Sequence, residues 1–164
     1  MKRIGLLSDT HSFIDERLYT FFKDCDEIWH AGDIGNIETA DALSKFKPFR
    51  AVYGNIDNSI IRMQHPQFLR FLSENTDVLI THIGGYPGHY EPSVRQILKV
   101  NAPAIFIAGH SHILRVIYDK RYNFLYINPG AAGNSGFHQV KTAVRFTIDN
   151  KEIKNLEIWE SPRN

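Results

Sequence analysis

Cysteine is nearly absent. Cys25 stands alone, so no internal disulfide is available, and Asp24 and Asp26 on either side work against the thiolate that nucleophilic catalysis would need. A charge bias is missing too: the formal net charge is +1 and the basic residues are scattered, which argues against a dedicated face for duplex nucleic acid. There are no long hydrophobic runs. The apolar segment after Met1-Lys2-Arg3 meets Ser8 and Asp9 within a few residues, short of the ~7–15 residues of a secretory signal. Nothing approaches the ~20 apolar residues of a membrane span. Internal repeats and low-complexity tracts are also missing, and the chain reads as a cytoplasmic protein with no membrane partner. At 164 residues and 43% hydrophobic, it has material for one substantial core and too little for two, so a single domain over 1–164 is expected.

What is present is a series of short apolar runs, each cut off by glycine or a polar residue. They are Ile4-Gly5-Leu6-Leu7, Ile28-Trp29-His30-Ala31, Ala51-Val52-Tyr53, Val78-Leu79-Ile80 and Ile105-Phe106-Ile107-Ala108, and they read as buried strands. Between them, Leu18, Phe21 and Phe22 give a helical face over Glu16 to Lys23, and a second helix spans Ile37 to Phe46 and stops before Pro48. A third begins at Pro92 and carries Val94, Ile97 and Leu98. The stretch after Asn58 is less regular until Phe68 to Leu72, whose alternation suits a strand paired with Val78 to Thr81. Beyond residue 112 the pattern is mostly β, with strands at Leu114 to Tyr118, Phe124 to Asn128, Ala143 to Ile148 and Ile153 to Trp159. Asp149-Asn150-Lys151 is a hairpin signal, and glycine-rich Gly130 to Gly136 is the expected flexible loop.

Metal-ligand chemistry appears where these runs end. Asp9-Thr10-His11, Gly32-Asp33, Gly54-Asn55, Thr81-His82 and His110-Ser111-His112 each offer side chains that divalent first-row metals accept. Successive ligands are 22 to 28 positions apart, close to the roughly 30 residues of a βαβ unit, so they recur at one end of successive strands. In an extended segment residues i and i+2 share a side, which would aim Asp9 with His11, and His110 with His112, at a common centre. A lone D-x-H carries little weight, but five fragments in order at strand ends are a strong signal for a dinuclear site. His30, inside an apolar run, reads as a packed or hydrogen-bonded residue, and His65 and His138 as surface or loop residues. Asp57 reads as a tie between the loop after Asn55 and backbone donors, and Asn128-Pro129-Gly130 as a strand ending in a turn.

The fragments resemble the calcineurin-like metallophosphoesterase superfamily, whose pattern is D-x-H, GD, GNH followed by D or E, H, and GHxH. The resemblance runs from Arg3 to about Gly130. The small size and Asn128-Pro129-Gly130 are similar to its compact branch of small phosphodiesterases, which also holds a metal-poor retromer scaffold subunit. It implies an α/β fold, a four-layer α/β/β/α sandwich of two mixed sheets flanked by helices, with the last strands completing the second sheet. It also implies two divalent metal ions, one held by Asp9, His11, Asp33 and His112, the other by Asp33, Asn55, His82 and His110, with Asp33 bridging. Manganese is the first choice, with iron, zinc, cobalt and nickel compatible with the same ligands. Asp33, Asn55 and His82 would serve catalysis directly. The implied reaction is hydrolysis of a small or nucleotide-like phosphate ester by a metal-bridging hydroxide. Two aspartates and a hydroxide do not cancel two divalent ions, so the centre would stay positive and attract an anionic ester.

One block departs from the pattern. Gly54-Asn55-Ile56-Asp57 has isoleucine where the superfamily has the histidine that assists the leaving group, and general acid help is worth ~10²–10⁴-fold. Thr81-His82-Ile83-Gly84-Gly85 also lacks a further histidine, for which His89 in the Tyr86 to Tyr90 loop is the candidate substitute and substrate contact. A phosphodiesterase for acidic leaving groups fits best. Its rivals are a phosphomonoesterase or nuclease on the same metals and a non-catalytic interaction scaffold of the same fold, against which stands the retention of seven ligand side chains. Homo-oligomerisation stays open.

Overall fold

The computed structural model describes residues 1–163. Its first half runs β1 (Lys2–Leu7), α1 (Arg17–Phe21), β2 (Glu27–His30), α2 (Ile37–Phe46), β3 (Phe49–Ala51), α3 (Ser59–Gln64), β4 (Phe68–Ser73) and β5 (Thr76–Thr81). It continues with α4 (Pro92–Val100), β6 (Ile105–Ile107), β7 (Leu114–Asp119), β8 (Phe124–Pro129), β9 (Val140–Asp149) and β10 (Glu152–Pro162). These form two five-stranded mixed sheets, in the orders β10-β9-β1-β2-β3 and β4-β5-β6-β8-β7.

Strand alternation decides what each sheet touches. Ile4, Leu6 and Trp29 of the first sheet meet Val78, Ile80, Ile105, Ile107 and Ile127 of the second in one buried core, while Leu7 and Ile28 point the other way, toward Leu18 and Phe22 of the first helical segment and Leu43 of α2. On the far side of the second sheet, Leu79, Phe106 and Tyr126 pack on Val94 and Leu98 of α4. The result is the four-layer α/β/β/α sandwich. It buries both faces of the central strands, which is why they read as continuous apolar runs.

The arrangement of elements differs from expectation in three places. β9 and β10 complete the first sheet, not the second: β9 lies antiparallel to β1, with Ile4 opposite Phe146 and Leu6 opposite Val144. β1 is a central strand and needs a partner on the edge away from β2, while the far edge of β8 is already taken by β7 through the Leu114–Asp119 pairing. The irregular stretch after Asn58 contains α3, whose first turn is capped by the Asn58 side chain accepting from the Ile61 N–H at 3.2 Å. The first half of the glycine-rich loop is buried and tied down, with Ala132 N donating to Ser8 O and Gly133 N to Asp9 O, at 2.9 and 3.1 Å. Cys25 is buried and free, and burial, more than Asp26 or Asp24, pushes its thiol up to about 11. No helix among the described residues is long and apolar enough to cross a membrane.

Candidate metal centre

Within each sheet the strands that lead into ligand loops run parallel, β1-β2-β3 in one and β5-β6 in the other. Asp9, Asp33, Asn55, His82 and His110 therefore leave the carboxyl ends of their strands, where the two sheets meet. The loops do not stay extended. Asp9, His11, Asp33, His110 and His112 all have positive φ, at 54°, 48°, 56°, 71° and 62°. Convergence comes from left-handed kinks and not from i, i+2 alternation. Each kink costs a non-glycine residue roughly 1–2 kcal/mol, so the surroundings must impose it. Backbone bonds do so: Asp9 N donates to Gly32 O (2.9 Å), His11 N to Asp33 O (3.1 Å) and Ser12 N to Ile34 O (2.8 Å), prolonging the β1-β2 pairing into the loops. Asp57 takes the tying role read from its sequence position, accepting from Gly54 N, Gly35 N and Ile34 N at 2.8, 2.8 and 3.1 Å. Residue 54 must be glycine, since a Cβ there would lie 2.3 Å from Asp33 N.

Two groups result, Asp9-His11-His112 and Asp33-His82-His110, and within each the ligating atoms lie within 4.8 Å of one another. Asp9 Oδ2 is used up, accepting from Ser8 Oγ at 2.6 Å and His110 N at 3.1 Å. Its Oδ1 faces His112 Nε2 at 3.2 Å and both His11 and His82 Nε2 at 3.8 Å. Asp33 behaves alike: Oδ1 accepts from Ile56 N at 3.1 Å, and Oδ2 stands 3.4 Å from His11 Nε2 and 3.2 Å from His82 Nε2, between the two groups. Asn55 Oδ1 lies 3.1 Å from His110 Nδ1. All seven predicted residues are thus brought together.

The donors fit divalent cations. Asp9 Oδ1, His11 Nε2 and His82 Nε2 are buried and have no hydrogen-bond partner among the described residues, a costly state for polar atoms with no further role. His82 Nδ1 lies 2.7 Å from Ala31 O; a carbonyl only accepts, so Nδ1 carries the hydrogen, and in the neutral ring Nε2 presents its lone pair to the cluster. Burial opposes ionisation of both aspartates, yet their histidine neighbours hold Asp9 and Asp33 well below the usual carboxylate range. The nearby carboxylates of Asp33, then Asp9, push His11 up to about 9. The aspartates stay anionic and offer their charge to a cation.

His30 lies beneath this cluster, as expected of a packed residue. Its Nδ1 accepts from Gly32 N at 3.1 Å, leaving the hydrogen on Nε2 to bond Thr10 Oγ1 at 2.9 Å, and Thr10 in turn donates to Ile34 O. Burial pushes the imidazole from 6.5 down to about 3. Between those values the unfolded chain holds a proton that the native protein excludes. Stability should therefore fall as pH drops through 6.5 toward 3, by up to about 1.4 kcal/mol per pH unit from this group. His30→Gln, which has no proton to gain, should lose that slope. Urea midpoints of the two proteins, compared from neutral to mildly acid pH, are expected to converge, and parallel curves would contradict the assignment.

His89 stays outside the cluster. Its ring is exposed and lies 5.0 Å from that of Tyr86. Ile56 is 46% exposed, so it has no core role, and it meets the cluster through its backbone N–H, which donates to Asp33 Oδ1. Asn128 braces the last ligand loop instead of facing solvent, its Nδ2 donating to Gly109 O and Ser111 Oγ, both at 3.1 Å. A cleft of about 220 Å³ opens beside Asn55 and His82, bordered by Tyr53, Arg62 and Ile83. His138 lies in the loop before β9, as expected of a surface or loop residue, and packs on His112, with ring centroids 5.0 Å apart. No local signal marked it, because its partner lies 26 positions away.

Two candidate ligand groups thus lie at the carboxyl ends of parallel strands where two sheets face each other. The profile of the calcineurin-like phosphoesterase superfamily domain matches residues 1–151, and the chain belongs to that family. A probable metallophosphoesterase of Methanothermobacter thermautotrophicus is 29% identical over 135 residues, covering 78% of this chain and 76% of the relative. Among solved structures, Vps29 of Entamoeba histolytica in complex with zinc superposes with a TM-score of 0.76 at 15% identity, over 99% of both chains. A structure described as a novel archaeal phosphodiesterase gives 0.71 at 21% identity, over 96% of this chain and 99% of the other. At these identities the two structures speak for the fold.

Proposed function

We propose that the chain is a dinuclear metal-dependent phosphodiesterase acting on a small or nucleotide-like ester, with Asp9, His11, Asp33, Asn55, His82, His110 and His112 as ligands. The observation that carries this reading is Asp33 Oδ2, which stands 3.4 Å from His11 Nε2 and 3.2 Å from His82 Nε2 while Oδ1 is held by Ile56 N. One free oxygen between two ligand groups suits a carboxylate shared by two cations. Divalent ions held there, manganese first, would supply Lewis acidity toward the ester oxygens and lower the pKa of water. The chain's own residues then orient the ester: Asn55 and His82 border the cleft, which has room for one alcohol portion. Esters with acidic leaving groups are favoured because Ile56 offers no proton to a basic leaving oxygen. His89 is the first alternative acid and substrate contact, from its loop. A lone, free cysteine supports a cytoplasmic setting.

The test is the purified protein reconstituted with manganese, its metal content measured, and its rates compared on matched phosphomonoesters, linear diesters and cyclic nucleotides. Two ions per chain and a preference for diesters are expected. A chain that retains at most one ion in excess manganese contradicts the dinuclear site. A fully loaded protein inert on the whole panel would favour the non-catalytic scaffold of the same fold.

A further inference from the structure

His112 has two ring nitrogens and two different surroundings. Nε2 faces Asp9 Oδ1 at 3.2 Å, whereas Nδ1 lies 3.2 Å from Nδ1 of His138. The other nitrogen of His138, Nε2, is 2.7 Å from the carbonyl oxygen of Gly133. That oxygen only accepts, so His138 Nε2 carries a hydrogen. A neutral imidazole protonated on Nε2 has a lone pair on Nδ1. The hydrogen between the two rings therefore belongs to His112, whose Nδ1–H donates to His138. This leaves His112 Nε2 as a lone pair aimed at the Asp9 group.

The contact is built in, not incidental. Gly133 N donates to Asp9 O at 3.1 Å, so the carbonyl that orients His138 is fixed by the first ligand loop itself. Gly136, at φ +134°, makes room for the pair, since a Cβ there would come within 2.4 Å of His112 Nδ1 and 3.1 Å of His138 Nδ1. The ring planes meet at 79°, so the rings do not stack, and their close approach is the 3.2 Å contact between the two Nδ1 atoms.

We propose that His138 is a positioning residue that fixes the tautomer of His112 and thereby the metal affinity of the Asp9-His11-His112 group. The affinity part rests on the reading of His112 as a ligand; the tautomer part does not. Outer partners of this kind typically contribute ~10–100-fold in metal affinity. A glutamine at 138 can replace the ring, because its amide also provides one acceptor and one donor.

The experiment has two readouts. In the metal-free protein, ¹⁵N imidazole NMR above the imidazole titration range should show His112 as the Nδ1–H tautomer. His138→Ala should release it toward Nε2–H, and His138→Gln should hold it. Manganese titration by calorimetry should show one of two positions weakened ~10–100-fold in His138→Ala, the other unchanged, and the loss largely restored in His138→Gln. Nε2–H on His112 in the unaltered protein overturns the proposal, even if the alanine variant does not fold. So do a tautomer indifferent to His138→Ala, and equal weakening of both positions without rescue by glutamine. A normal tautomer response with no manganese bound by any form would support the positioning of the ring and overturn the reading of His112 as a ligand.

Discussion

Asp33→Asn should abolish tight binding of the metal pair and lower hydrolysis by about 10³-fold or more. Its charge is what would hold two cations together, and a metal centre of this kind contributes several kcal/mol to the transition state, at 1.36 kcal/mol per tenfold in rate. The substitution is clean for two structural reasons. Residue 33 sits at φ 56°, a conformation asparagine tolerates better than other non-glycine residues, and its Oδ1 can still accept from Ile56 N. The core beneath, made by residues such as Ile4, Trp29 and Ile80, is untouched. Circular dichroism should therefore be unchanged while metal content and rate fall together. A variant that keeps its metals and activity would remove Asp33 from the mechanism.

The second large effect concerns Ile56. With no proton donor there, rates should depend steeply on leaving-group pKa, and diesters of acidic alcohols should exceed alkyl diesters by far. Ile56→His should flatten that dependence, raising alkyl substrates by up to ~10²-fold and aryl substrates little, the lower end of what general acid help supplies. Because the isoleucine is 46% exposed, its replacement leaves no cavity, and a stability loss is not expected to confuse the comparison. A leaving-group series for both proteins at matched metal occupancy decides it. A shallow slope in the unaltered enzyme would mean that another acid already acts, and His89→Ala would then be the next variant to measure.

The sequence was informative where the physics is local. Apolar runs ended by glycine or polar residues located β1, β2, β5 and β6, and helical spacing before Pro48 gave α2 over Ile37–Phe46 with no adjustment. The order of Asp9, Asp33, Asn55, His82 and His110 at strand ends fixed the class of site, because parallel strands deliver their carboxyl ends to one crevice. Asp57 was legible for the same reason, since Gly54, whose N–H it binds, is three residues away. α3 was not, as its cap at Asn58 sits in a stretch with little periodicity, where the burial of Ile61 alone anchors the turn.

Tertiary structure decided what depends on distant partners. β9 could have joined either sheet from its own residues, and the open edge of β1 settled the choice through contacts across most of the chain. The left-handed φ of Asp9, His11 and Asp33 is disfavoured locally and exists because the first two ligand loops bond one another in place. The sequence by itself determined which side chains could meet a metal. The fold determined which oxygen of Asp33 is free, and which nitrogens of His82 and His112 face inward, because ring and carboxylate orientation follow from hydrogen bonds to Ile56, Ala31 and His138, each more than twenty positions away from the group it orients.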